Sequence, residues 1–149
     1  MRLLLIWLLL VAWGFAKKPE TYPSPTFAVK VPLDWTSPAP DQWCSPEGNI
    51  SLVWTQVAVA GDLEAWTQSM QQRFPGTVMG QSQKLTVAGG PARSFMGEHQ
   101  GKIQRVYLMS QGTRGVILIC SCSPTQSFAA VGVIQEILGS FRWLPDQGK

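Results

Sequence analysis

Between Thr77 and Cys122 the chain consists of short apolar-rich segments separated by glycine turns, and this punctuation limits the fold more than any other feature. Thr77 to Val87, Ala92 to Gly97, Ile103 to Ser110 and Val116 to Cys122 each read as strands. Gly89-Gly90-Pro91, Gly97 to Gly101 and Gly112 to Gly115 stand between them as turns. Connections this short join antiparallel neighbours, because a parallel return needs a crossover of about a dozen residues or more. Val116-Ile117-Leu118-Ile119-Cys120 has no polar alternation, which predicts a central strand covered on both faces.

The flanking segments supply the cover. Phe27 to Val31 reads as a short strand stopped by Pro32, and Thr36 to Gly48, with Pro38, Pro40 and Pro46, as a loop. Ile50 to Val59 is a second strand with Ile50, Leu52, Trp54 and Gln56 on one face. Gly61-Asp62 opens a helix whose stripe is Leu63, Trp66, Met70 and Phe74, ended by Pro75-Gly76. Ser123-Pro124-Thr125-Gln126 has the spacing of a capping box and opens a last helix, with Phe128, Val131, Ile134, Leu138 and Phe141 as its buried stripe. The expected fold is α+β: an antiparallel sheet of about six strands with helices on both faces, an α/β/α sandwich.

Residues 1–16 differ from everything after them. Arg2 precedes an unbroken apolar run from Leu3 to Ala12, and Gly14-Phe15-Ala16 offers small residues at a cleavage site before Lys17-Lys18. The run is shorter than the ~20 residues of a spanning helix, so a cleaved signal peptide is expected over an uncleaved anchor. The expected organisation is a signal peptide at 1–16, a proline-rich leader at 17–26, one domain at 27–144 and a frayed tail at 145–149. The destination is extracytoplasmic, periplasmic or secreted, where disulfides persist. Cys120 and Cys122 lie i, i+2 on one strand, nearly 7 Å apart at the Cα atoms. A bond from Cys44 to one of them is therefore expected, with Cys122 the preferred partner; the alternative is three reduced, buried cysteines.

Two short motifs carry a family resemblance. Phe27-Ala28-Val29-Lys30-Val31-Pro32-Leu33-Asp34-Trp35 resembles the strand-then-P-x-x-W opening of the PsbP/Mog-like fold group, and Ile137-Leu138-Gly139-Ser140-Phe141 resembles its closing helix ending in S-F. The order of elements between them also matches, over residues 22–144. The group holds the photosystem II extrinsic protein PsbP, the Ran-binding protein Mog and many small exported bacterial proteins. The resemblance implies a binding or assembly module and places no partner-contacting residue on this sequence.

Chemistry is sparse. Lys and Arg number 12 against 9 Asp and Glu, and 14% of the 149 residues are charged against 45% hydrophobic. That excludes a disordered polyelectrolyte, and a net charge of +3 without a basic cluster argues against nucleic acid. His99 is the sole histidine, beside Glu98 in a glycine-flanked turn, where a solvated role outweighs an acid–base pair. A metal site from Cys44, His99, Cys120 and Cys122 lacks the usual ligand spacing, and Asp34, Asp41 and Glu47 lack that of a calcium loop. Asn49-Ile50-Ser51 is a glycosylation sequon that matters only on a eukaryotic secretory route. Neither a cofactor nor a catalytic residue is assigned. Trp43, in a polar loop beside Cys44, is the candidate for partner contact, since tryptophan is enriched at interface hot spots.

These readings converge on an exported, monomeric, non-enzymatic binding or assembly module. Its partner would be an envelope or extracellular protein, and it would touch a membrane only through an uncleaved leading segment. The alternatives are a carrier for an apolar small molecule held between sheet and helix and, more remotely, a thiol- or metal-dependent enzyme.

Overall fold

Alternation in the strands, rather than any helix, organises the molecule. In the computed structural model, which describes residues 26–59 and 61–145, the elements are β1 Phe27–Ala28, β2 Thr36–Ala39, β3 Gln42–Cys44, β4 Ile50–Ala58, α1 Leu63–Arg73, β5 Thr77–Val87, β6 Gly90–His99, β7 Lys102–Gln111, β8 Arg114–Cys122, α2 Ser127–Gly139 and β9 Arg142–Trp143. The segment 1–16 expected to be a signal peptide, residues 17–25 of the expected leader and residues 146–149 of the expected tail lie outside the described residues.

Strands β2 to β8 form one antiparallel sheet in the order β2-β3-β4-β8-β7-β6-β5. The segment without polar alternation, β8, takes the middle place. Its residues divide the core by face. Val116, Leu118, Cys120 and Cys122 join Leu52, Trp54 and Met109 under Ala130, Ile134 and Ile137 of α2. Ile117 and Ile119 join Phe95, Val106 and Leu108 under Met70 and Phe74 of α1. A strand buried on both faces has no position to spare for a polar side chain that must reach water. The expected sandwich, with one helix on each face, is the observed fold.

The start of α1 follows its cap. The Asp62 carboxylate accepts the Ala65 N–H at 2.6 Å, satisfying a donor the first turn leaves unpaired, and the helix ends at Phe74 before Pro75. The start of α2 departs from expectation. A 3₁₀ turn over Pro124–Gln126 precedes it, and the Ser123 hydroxyl meets Thr125 Oγ1 at 3.0 Å instead of capping a backbone amide. No capping box forms. The turn shifts the phase of the helix, so its buried positions are Ala130, Ile134 and Ile137, while Phe128 stands 92% exposed. Ile134 and Phe141 remain in the core as expected.

Glycines serve two purposes here. Ala88-Gly89 and Gln100-Gly101 are two-residue hairpin loops with positive φ at both positions, the twist-matched geometry for which glycine is suited. Gly97 and Gly115 instead lie inside β6 and β8, not in the turns expected for them. A Cβ on Gly97 would sit 2.3 Å from the Phe74 ring, and one on Gly115 the same distance from Val59 Cγ2. Both permit close approach of a neighbour, as strand glycines often do.

The proline-rich segment is not wholly a loop. It contains β2 and β3, and Pro38 is tolerated because β2 is the sheet edge, where a missing N–H interrupts no ladder. The first strand is shorter than expected and pairs outside the main sheet, Phe27 opposite Trp143 and Ala28 opposite Arg142. The two family-like motifs meet at this point. Phe27 stacks on Phe141 at 5.2 Å, the Lys30 N–H donates to Ser140 Oγ at 2.8 Å, and the Trp35 N–H closes P-x-x-W onto the Pro32 carbonyl at 3.1 Å. The opening and closing motifs therefore pin the two ends of the described region to each other.

Candidate functional site

Trp43 lies in β3, opposite Leu52 of β4. A hairpin positions it: Ser45 Oγ accepts the Ile50 N–H at 3.1 Å and donates to Asn49 Oδ1 at 2.8 Å. The Trp43 ring lies over Trp54 with centroids 6.0 Å apart and planes 24° from parallel. Phe27 meets Trp54 edge-on at 6.0 Å, and Gln56 Oε1 accepts both the backbone N–H and the hydroxyl of Thr26, the latter at 2.6 Å. Together with Val29 and Val31 these side chains line an open cleft of about 250 Å³. The Trp43 indole N–H is buried and finds no acceptor among the described residues. A buried indole donor usually has a partner, and leaving one unmade costs on the order of 1–3 kcal/mol.

The other candidates do not come together. All three cysteines are free, and the expected Cys44–Cys122 bond is not formed. Cys44 pairs with Ser51 of β4, which pairs in turn with Ser121 of β8. At roughly 4.8 Å per strand that separates Cys44 from β8 by about 10 Å, beyond the ~7 Å reach of a disulfide. Alternation also sends Cys122 to the opposite face. His99 is a strand residue of β6, not a turn residue, so Glu98 beside it faces the other way. It shares the Gln104 face through its pairing with Lys102, whereas Cys120 and Cys122 share the Arg105 face. Two faces of one sheet thus divide the four proposed metal ligands. Asp41 is buried while Asp34 and Glu47 are exposed, and no group of three possible ligands clusters among the described residues.

Electrostatics tells against thiol chemistry. Burial pushes the Cys120 thiol up to about 12, reinforced by Cys122 and partly offset by Arg105, and burial raises Cys122 as well. A thiol held protonated at neutral pH is a weak nucleophile and a poor metal ligand. The space between the sheet and α2, where an apolar cargo would sit, is lined by Arg105, Tyr107, Ser94, Gln83 and Gln135 along with apolar residues. Its lining is mixed, not purely apolar. Sequence reasoning did not single out Arg105, although its period-two company (Ile103, Tyr107, Met109) places it on a core face.

No family model matches the chain, and no curated protein does. Solved structures do. LpqN of Mycobacterium tuberculosis, described as involved in cell envelope biogenesis, superposes with a TM-score of 0.57 at 16% identity, covering 83% of this chain and 88% of that one. The cyanobacterial PsbP of Synechocystis gives 0.54 at 7% identity, over 83% and 96% of the two chains. The Saccharomyces cerevisiae Ran-binding protein Mog1p gives 0.54 at 14% identity, over 83% and 92%. The fold is that of the PsbP/Mog-like group. Identities this low establish architecture and leave activity to the site. The opening motif that suggested the group lines the aromatic cleft through Phe27, Ala28, Val29 and Val31, and Phe27 stacks outside that lining on Phe141 of the closing motif. No helix among the described residues is long and apolar enough to cross a membrane.

Proposed function

We propose that the chain is a non-enzymatic binding or assembly module that acts outside the cytoplasmic membrane, with the Trp43 cleft as its contact for an envelope or extracellular protein. The observation that carries this is Trp43 in the lining of an aromatic cleft, its ring on Trp54 and its buried indole N–H without an acceptor among the described residues. A partner that inserts an apolar side chain and presents a backbone carbonyl would bury the rings and satisfy that donor in one step. Tryptophan in such a setting is the residue type that dominates interface energetics. Support for the compartment comes from the leading apolar segment ahead of Lys17-Lys18 and from the involvement of the structurally similar LpqN in cell envelope biogenesis.

A photoreactive phenylalanine analogue at Val29, in cells that naturally make the chain, tests the contact. One defined protein adduct is expected from Val29 and none from the same group at exposed Lys84 on β5. Trp43→Ala in the Val29 background should remove the adduct. Trp43→Phe keeps a ring but lacks the donor, and should cut the yield by about tenfold, the worth of one well-made hydrogen bond in a dry site. Equal adducts from both positions, or an adduct untouched by both Trp43 changes, would show that the cleft is not the contact.

A further inference from the structure

The cleft between the sheet and α2 holds a cation that has no ion-pair partner among the described residues. Arg105 lies on β7 between Met96 of β6 and Cys120 of β8, on the face that α2 covers. It is half-buried, its Nη2 donates to Ser127 Oγ at 3.0 Å, and its Nε is enclosed with no acceptor. An ion pair joins Arg93 and Glu64, and no carboxylate among the described residues is paired with Arg105; Glu98, on the same face two residues along β6 from Met96, makes no ion pair with it. Withdrawing a guanidinium from water this far without a partner charge is costly.

The surroundings define what could supply the charge. In one row across the sheet, Gln83 of β5, Ser94 of β6 and Tyr107 of β7 lie side by side, and Gln135 of α2 also lines the cleft. Leu85, Val87, Val131, Leu138 and Phe141 belong to the apolar part of the lining, and the cleft encloses about 480 Å³. That volume lies within the range of small-molecule sites, which combine an apolar lining with a few placed polar groups. We propose that this cleft binds a small amphipathic carboxylate, its anionic head on Arg105 and its hydrocarbon body against Leu85, Leu138 and Phe141. A carboxylate is the acceptor whose fork geometry matches the guanidinium. The site shares no residue with the aromatic cleft, so it stands or falls independently of the Trp43 contact.

Calorimetric titration of the full chain with octanoate, octanol and acetate tests it. Octanoate is expected to bind saturably at one site per chain, with octanol and acetate each weaker by about tenfold or more, since each lacks one half of the recognition. Arg105→Gln should weaken octanoate by about tenfold and leave octanol unchanged. Gln135→Trp, at an exposed position of α2 that cannot disturb the core, should fill the cleft and abolish both. Octanol binding as tightly as octanoate, octanoate binding unaltered by both substitutions, or no saturable binding at all would each overturn the proposal.

Discussion

Leu118→Ala is expected to lower the unfolding free energy by about 3–5 kcal/mol, a large part of the ~5–15 kcal/mol typical of a domain this size. Leu118 is fully buried in the middle strand, with Trp54 and Tyr107 in register on its two sides and α2 above. Those neighbours are held by sheet ladders and cannot collapse into the space, so the cavity term adds to the lost transfer energy. Chemical denaturation reads the effect as a lower midpoint at unchanged slope. Phe128→Ala is the matched comparison, because helical spacing expects that ring in the core while the structure leaves it 92% exposed. Its cost should stay within about 0.5 kcal/mol. A loss below about 1 kcal/mol at Leu118, or above about 2 kcal/mol at Phe128, would contradict the placement of the core.

Stability should fall steeply above pH 9, and Cys120 should account for much of the fall. Its thiol is raised from 9.0 to about 12 in the folded chain, chiefly by burial. Below pH 9 both states keep the proton and the thiol contributes no pH dependence. Between pH 9 and about 12 the unfolded chain releases a proton that the native chain retains, so alkali favours unfolding. At about 1.4 kcal/mol per unit, the full interval amounts to about 4 kcal/mol. Tyr107, raised from 10.0 to about 12 by burial, adds to the upper part of the same window. Unfolding curves collected from pH 7 to 11 should converge for the native chain and Cys120→Ala as pH rises. The variant forfeits some packing at every pH but loses the thiol's share of the slope. Parallel curves would show that the thiol is not held protonated by its site.

The parts of the fold legible in the sequence were those with one physical solution. An apolar run without alternation at Val116–Cys120 has to be a covered central strand, and Asp62 ahead of a helical stripe has to be a cap. What was not legible depended on long-range pairing. Cysteine spacing cannot show that β4 intervenes between Cys44 and β8, nor that alternation turns the two thiols to opposite faces. Prolines at 38 and 40 read as a loop because an edge strand tolerates proline as readily as a loop does. The phase of α2 was not legible because a 3₁₀ turn precedes it: Phe128 falls outside the core and Ala130 and Ile137 inside, while Ile134 keeps its expected place. Trp43 stood out by composition, but its stacking on Trp54 and its enclosed N–H needed the pairing of β3 with β4 to appear.

Intact-mass analysis of the natural chain, recovered from fractionated cells, bears most directly on a working place outside the cytoplasmic membrane. A species beginning at Lys17, found outside that membrane, is the expected result. A polypeptide retaining Met1 to Ala16 and confined to the cytoplasm would contradict it, because the partner assigned to the Trp43 cleft would then never be met.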